Sequence, residues 1–247
     1  MYCIGAAKSG TSSLAGVLET GFRAAHEPQR AELLDAVMAL DTGRLGPSEL
    51  NRYLCERDHR LRLEFDSSWA NYFVMDRLAT LFQDAKFIQL IRDCYTWVES
   101  VINHLIARTI PSDVQDFLDW WFEPSKFPYK RSDRGLEEIG VYSLDCFVTR
   151  WSIHAEGPAQ VIPADRLMTI RTPEIPASAQ RLADFLGVSV DLIDRTKSHR
   201  NKGNTIRPLL GLVDKAYLDD TVARICRDSM NRYFPEVRNS DDTSLAR

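Results

Sequence analysis

The sequence predicts an α/β protein in three layers, with helices on both faces of a central parallel sheet. Three observations carry that prediction. Strand-like apolar runs alternate with amphipathic helical segments along most of the chain, the pattern left by crossover connections between parallel strands. The run Lys86-Phe87-Ile88-Gln89-Leu90-Ile91 is almost continuously apolar, as expected of a strand covered on both faces. A turn of small residues bounded by Gly5 and Gly10 lies between the first strand and the first helix.

The elements follow in order. Tyr2-Cys3-Ile4 reads as a short strand, and Leu14, Val17, Leu18 and Phe22 recur at helical spacing with Gly21 as a stop signal. Residues 29–41 and 47–58 read as helices, the second opened by Pro47. Leu61, Leu63 and Phe65 alternate as a strand, and a helix runs through Tyr72, Met75, Leu78, Ala79 and Phe82. The strand 86–91 passes into Arg92-Asp93 and a helix over about 95–108. Residues 109–140 break the alternation with Pro111, Pro124, Pro128 and the cluster Trp120-Trp121-Phe122, and read as an insertion or lid. A helix over 143–156, short strands near 159–162 and 167–170, a helix ending at Leu186-Gly187 and a last helix over about 213–230 complete the chain. There is no internal repeat and no long linker, so residues 1–247 read as a single domain.

Composition narrows the partners. The 247 residues carry 31 Lys and Arg against 35 Asp and Glu, a formal charge of −4, and 44% are hydrophobic. A mildly acidic chain lacks the basic surplus that nucleic acid or an anionic membrane requires, so no nucleic-acid partner is expected and any anionic ligand must be held by a few well-placed cations. Cys3, Cys55, Cys94, Cys146 and Cys226 are scattered and odd in number, with no C-x-x-C pair. They read as reduced thiols, and neither a disulfide scaffold nor a metal site is expected. No apolar run approaches the roughly 18 residues of a transmembrane segment, and none resembles a signal-peptide core. A cytoplasmic protein is the expectation, and the patterning carries no sign of an oligomeric state.

The turn Gly5-Ala6-Ala7-Lys8-Ser9-Gly10-Thr11-Ser12-Ser13 stands where backbone amides and a helix N-terminus converge on an anion. Gly5 and Gly10 keep the spacing of the triphosphate loop, but Thr11 stands where that loop has its Lys, and Lys8 lies inside the turn. A lysine there faces a shorter group than a triphosphate. Arg92 ends a strand beside a helix start, which suits a bidentate phosphate contact or a salt bridge to Asp93.

These features resemble the sulfotransferases that use 3′-phosphoadenosine 5′-phosphosulfate (PAPS), with their P-loop-like architecture. Their 5′-phosphosulfate loop, strand–(G-x-x-K-[SG]-G-T-[TS])–helix, is similar to the first turn. Their second signature, a strand ending in Arg with Ser eight residues on, is similar to Arg92 and Ser100, with Cys94 where Pro is usual. Arg166-Leu167-Met168 through Leu182-Ala183-Asp184-Phe185-Leu186-Gly187 resembles the family's later strand and helix, with Thr172-Pro173-Glu174 in place of the customary acidic pair. Arg200-Asn201-Lys202-Gly203 resembles the basic-glycine loop at the 3′-phosphate. The resemblance implies that Lys8, Ser9, Gly10, Thr11 and Ser12 bind the 5′ end of PAPS. It implies that Arg92, Ser100, Arg200, Lys202 and Gly203 bind its 3′-phosphate, and that transfer to a small-molecule or glycan acceptor needs no metal.

A sulfuryl acceptor must lose a proton. His26-Glu27-Pro28 resembles the stretch that supplies a glutamate base in glycan-type members, which makes Glu27 the first candidate, with His26 beside it. Asp66, with Glu64, stands after the second strand where the family has E-K-[ST]-P, and reads as an acceptor-positioning carboxylate or, with Ser67, as a helix cap. A nucleotide kinase with a degenerate loop and a non-catalytic nucleotide-binding module are the competing readings.

Overall fold

The computed structural model describes residues 1–107, 110–198 and 207–243. In chain order its strands and α-helices are β1 (Tyr2–Cys3), α1 (Thr11–Leu18), β2 (Ala24–His26), α2 (Arg30–Asp41), α3 (Pro47–Leu61), β3 (Phe65–Ser67), α4 (Met75–Leu81), β4 (Phe87–Ile91), α5 (Cys94–Ile106), α6 (Ser112–Phe122), α7 (Arg134–Glu138), α8 (Leu144–Val161), β5 (Leu167–Arg171), α9 (Ala179–Leu186) and α10 (Lys215–Tyr233). Single 3₁₀ turns, among them Trp69–Val74, Thr172–Ser178 and Leu209–Leu212, join several of them. The chain forms two compact units, Met1–Ile91 with Gly157–Lys202 and Arg92–Glu156 with Gly203–Arg247.

The first unit holds the sheet, five strands in the order β2-β3-β1-β4-β5, all parallel, as expected of a three-layer α/β/α fold. The chain starts in the centre at β1, goes to the edge at β2, returns with β3 between the two, then crosses to β4 and β5 on the other side. That reversal is a topological switch point, where the carboxyl ends of parallel strands leave a crevice for ligands. Alternation along each strand sends Cys3, Phe65, Ile88, Leu90, Met168 and Ile170 to one face, where they meet Leu14, Val17 and Leu18 of α1 and Leu182 and Ala183 of α9. The opposite face carries Tyr2, Asp66, Phe87, Gln89 and Thr169. There the Tyr2 ring stacks 5.7 Å from Phe87, and Thr169 donates to the Gln89 amide oxygen at 2.9 Å. Arg57 of α3 pairs with Asp66 at 2.6 Å, both side chains almost wholly buried.

The second unit is helical. Trp97, Val101 and Ile102 of α5, Phe117 of α6, Phe147 and Trp151 of α8 and Val222 and Met230 of α10 are all buried. The Phe122 ring stacks on Tyr142 at 4.5 Å. Glu99 is buried in α5, and its carboxylate accepts the Leu209 and Leu210 amides at 2.6 and 2.8 Å, holding the start of the Leu209–Leu212 turn. Asp145 gathers Lys130, Tyr217 and Arg224 around one carboxylate.

Several boundaries differ from the sequence expectation, each for a tertiary reason. The alternation at Leu61, Leu63 and Phe65 is the end of α3 followed by a strand that begins only at Phe65, where β1 fixes the register Tyr2 to Asp66. The strand expected near 159–162 is the last turn of α8, which continues through Pro158. β2 is a strand that propensity does not mark, since Ala24, Ala25 and His26 are held there by pairing with β3. Gly21 is not a helix stop, because α1 ends at Leu18; a Cβ at Gly21 would lie 2.5 Å from Leu192. Gly187 does cap α9 in the left-handed conformation at φ 72°.

Two outcomes follow from the buried charges. Arg57→Met strands the Asp66 carboxylate in the interior and is expected to lower stability by about 3–5 kcal/mol in urea unfolding, with Asp66→Asn in the same chain recovering part of the loss. His154 of α8 is buried against Trp121, and burial pulls its pKa from 6.5 to about 3. The unfolded chain therefore binds this proton first as pH falls. The stability His154 gives is complete above pH 6.5 and drains between there and about 3, by about 2 kcal/mol at pH 5. Unfolding of His154→Phe across that range should show a flatter pH dependence than the parent chain.

Candidate active site

The site starts from the turn between β1 and α1. Gly5 leaves the strand against β4, where a Cβ would lie 2.6 Å from Ser9 Oγ and 2.7 Å from Leu90 Cβ, so no other residue fits. Gly10 closes the turn at φ 102°, and a Cβ there would meet Ile175 Cδ1 at 3.0 Å and Thr172 Cγ2 at 3.2 Å. Lys8 is itself left-handed, at φ 70°. Between the glycines, hydroxyls hold the carbonyls of the turn. Ser9 Oγ donates to Ala6 O at 2.6 Å, Thr172 Oγ1 to Ser9 O at 2.6 Å, and Ser67 Oγ to Thr11 O at 2.8 Å. In a planar trans peptide the next residue's N–H points opposite to the carbonyl. Tying these three oxygens turns the amides of Ala7, Gly10 and Ser12 the other way. No acidic residue stands in the first turn of α1 and no side chain caps it, which leaves the positive end of the helix dipole uncompensated there. Lys8, Ser9, Gly10, Thr11 and Ser12 thus lie together in one cradle-like turn at the start of α1, with the Ser9 amide and hydroxyl both donating to Ala6 O.

Beside the cradle, β2 runs next to β3 in the register His26 to Ser67, and the His26 ring lies with Nε2 3.1 Å from Thr11 Oγ1. Burial lowers the His26 pKa, the Glu27 charge opposes this and Arg30 reinforces it, so the imidazole is neutral at pH 7. Glu27 follows in the left-handed conformation, at φ 53°, with its amide donating to Ser67 O at 2.9 Å. Its carboxylate accepts Arg30 Nη1 at 2.5 Å and stands 3.8 Å from His26 Nε2. Gln29 is left-handed too, and Arg57 and Arg60 hold this turn through Pro28 O and the Gln29 side chain. Two non-glycine residues in that conformation cost on the order of 1–3 kcal/mol each, strain of the kind that a functional turn retains.

Asp66 is a correction to the sequence reading. It points to the other face of the sheet, where burial pushes its pKa up and Arg57 and Asn71 oppose the shift, so it braces α3 rather than facing the cradle. Glu64 precedes β3 at the amino edge, away from the turns, and accepts the Arg23 amide at 2.9 Å. The cap of the Trp69–Val74 turn is Ser68, not Asp66 or Ser67.

In the second unit, Arg92 opens the approach to α5. Asp93 caps that helix by accepting the Thr96 amide at 2.9 Å, and Arg92 Nε donates to Thr96 Oγ1 at 2.9 Å. Burial lowers the Arg92 pKa, which Asp93 opposes. Ser100 is buried one turn beyond Thr96, and Trp151 Nε1 fixes the Arg92 carbonyl at 2.8 Å. Of the aromatic segment, Phe117 and Phe122 serve the core while Trp120 and Trp121 are half-buried. Arg200, Lys202 and Gly203 lie outside the described residues. Sequence reasoning missed Ser67 and Thr172 as loop anchors and Arg30 as the partner of Glu27. The only trace of the last is its i, i+3 spacing.

A glycine-bounded turn at the carboxyl end of a central strand, beside a topological switch point, defines a P-loop-like α/β protein. A family model described as a sulfotransferase domain matches residues 2–206, and the chain belongs to that family of transferases. No curated protein matches the chain. Among the described residues, no helix is long and apolar enough to cross a membrane, and no group of three or more His, Cys, Asp and Glu is placed to hold a metal ion.

The cradle yields a steric outcome. Gly5→Ala forces the turn off β4 and Gly10→Ala adds left-handed strain to contact with Thr172, so each should lower stability by about 1–3 kcal/mol in urea unfolding.

Proposed function

We propose that the protein transfers the sulfuryl group of PAPS to a hydroxyl, or an amine, of a small-molecule or glycan acceptor by in-line, metal-free displacement. The observation that carries this is the turn itself, a short cradle whose lysine sits inside it and whose carbonyls are tied back, a fit for one phosphosulfate group rather than a triphosphate. PAPS supplies a sulfuryl group on a phosphate that leaves readily, so the chain has to bind charge, align the partners and take one proton.

Lys8, with the Gly10, Thr11 and Ser12 amides and the Thr11 and Ser12 hydroxyls, holds the 5′ end and stabilises charge on the departing phosphate, while Ser9, whose amide and hydroxyl both donate to Ala6 O, shapes the turn. Arg92 and Ser100 take the 3′-phosphate, together with Arg200, Lys202 and Gly203 from the resemblance. The proton goes to the His26–Glu27 pair. His26 is neutral at pH 7 and beside the cradle, whereas the Glu27 carboxylate is engaged by Arg30, which favours His26 as the base and Glu27 as the residue that orients it. The 109–140 segment supplies acceptor contacts, chiefly through Trp120 and Trp121. A cytoplasmic setting is supported by the free cysteines, including the exposed Cys55 thiol.

Calorimetry with adenosine 3′,5′-bisphosphate and with Mg-ATP tests the reading, because a kinase would bind the second and this protein should bind the first. Lys8→Ala should lower release of the bisphosphate from PAPS, over a panel of phenol, sugar and amine acceptors, by about 10²-fold or more. Arg92→Ala should weaken bisphosphate binding by roughly 10–100-fold. Near-normal turnover in Lys8→Ala would falsify the mechanism.

A further inference from the structure

We infer that Thr172 is a positioning residue for the sulfuryl-donor cradle, setting affinity for the 5′ end of the nucleotide without touching it; this rests on the function proposed above. The residue stands where the family's usual acidic pair is replaced by Thr172-Pro173-Glu174, directly after β5. Its Oγ1 is within donating distance of two carbonyls, Ser9 O at 2.6 Å and Ile91 O at 3.0 Å. One side chain thereby joins the middle of the turn to the last residue of β4.

The effect on the cradle follows from peptide geometry. The Ser9 carbonyl is the one whose peptide carries the Gly10 amide, and drawing that oxygen toward Thr172 presents the amide on the opposite side. Gly10 precedes α1 directly, so the same contact sets the angle at which the helix N-terminus meets the anion. The Thr172 methyl supports the turn from the other direction, 3.2 Å from where a Cβ of Gly10 would stand and next to Ile175 Cδ1. An acidic side chain at 172 could not donate to Ser9 O in its ionised form, and its charge would lie against the cradle. A hydroxyl is the group that both donates and stays neutral.

Two substitutions separate the parts of this role. Thr172→Val keeps shape and methyl contact and removes the donor, while Thr172→Ser keeps the donor and removes the methyl. The readout is the ratio of affinities for adenosine 3′,5′-bisphosphate and adenosine 3′-monophosphate, which differ only in the 5′-phosphate, measured by calorimetry on each folded protein. Thr172→Val should lower that ratio about tenfold, the worth of one hydrogen bond to a positioned peptide, and Thr172→Ser should keep it within about twofold of the parent. A change in thermal stability alone would leave the ratio unmoved, and an unmoved ratio in Thr172→Val overturns the inference. A parent protein that does not prefer the bisphosphate over the 3′-monophosphate overturns the proposed function and this inference with it. A parent that prefers it, with Thr172→Val equal to it, overturns the inference alone.

Discussion

The site depends on how closely the first turn can lie against β4. At Gly5 the backbone comes so near Leu90 that a single methyl group would overlap both Leu90 and Ser9. Only with that hydrogen-sized gap closed can Ser9 fold back onto Ala6 O and Thr172 reach Ser9 O. Lift the turn by an ångström and the hydroxyls lose their carbonyls, the amides lose their common direction, and α1 starts at a different angle. A contact that is steric in origin thus sets an electrostatic property, because an anion cradle is a set of dipoles whose value lies in being held before the ligand arrives. The apolar packing of α1 and α9 on Ile88, Leu90, Met168 and Ile170 fixes the two walls between which the turn is held.

The same reasoning says what could be read in the sequence. The turn at Gly5 and Gly10 was legible because each glycine acts through its own backbone. The strand 87–91 was legible because burial on both faces leaves a continuous apolar run. β2 was not, since three small or polar residues become a strand only by pairing with β3. Ser67 and Thr172 were not, because an anchoring hydroxyl is defined by a carbonyl 56 or 163 residues away along the chain. Asp66 was misassigned for a related reason. Its place after a strand suited a ligand-edge carboxylate, but whether its side chain faces the turn or the far side of the sheet depends on register, and a shift of one residue reverses it.

Asp66 and Glu27 show how surroundings divide the labour of two carboxylates. Asp66 is enclosed, paired with Arg57 at 2.6 Å and bonded by Asn71, so its charge is consumed in holding α3 to the sheet. Glu27 sits on a strained turn, with one oxygen on Arg30 and the other toward His26. The turn has a geometric result: the carboxylate of Glu27, at φ 53°, meets Arg30 at the start of α2 and stands 3.8 Å from His26 Nε2. That brings carboxylate, imidazole and the Thr11 hydroxyl into one row beside the cradle. A neutral imidazole in such a row can accept a proton, and the neighbouring carboxylate then stabilises the imidazolium it becomes.

The net charge of −4 acquires a definite meaning beside this arrangement. The proposed cofactor would carry about four negative charges at neutral pH, and a chain with no basic surplus would have to attract it locally. The cradle achieves this with few full charges, since amide dipoles and a helix terminus act at contact distance and are not screened as surface charges are. Most cations near the turn are already committed, Arg30 to Glu27 and Arg57 to Asp66. Neutralising them internally keeps the wider surface mildly acidic. A long polyanionic acceptor would be repelled by that surface before reaching the site, whereas a small or weakly charged acceptor would not.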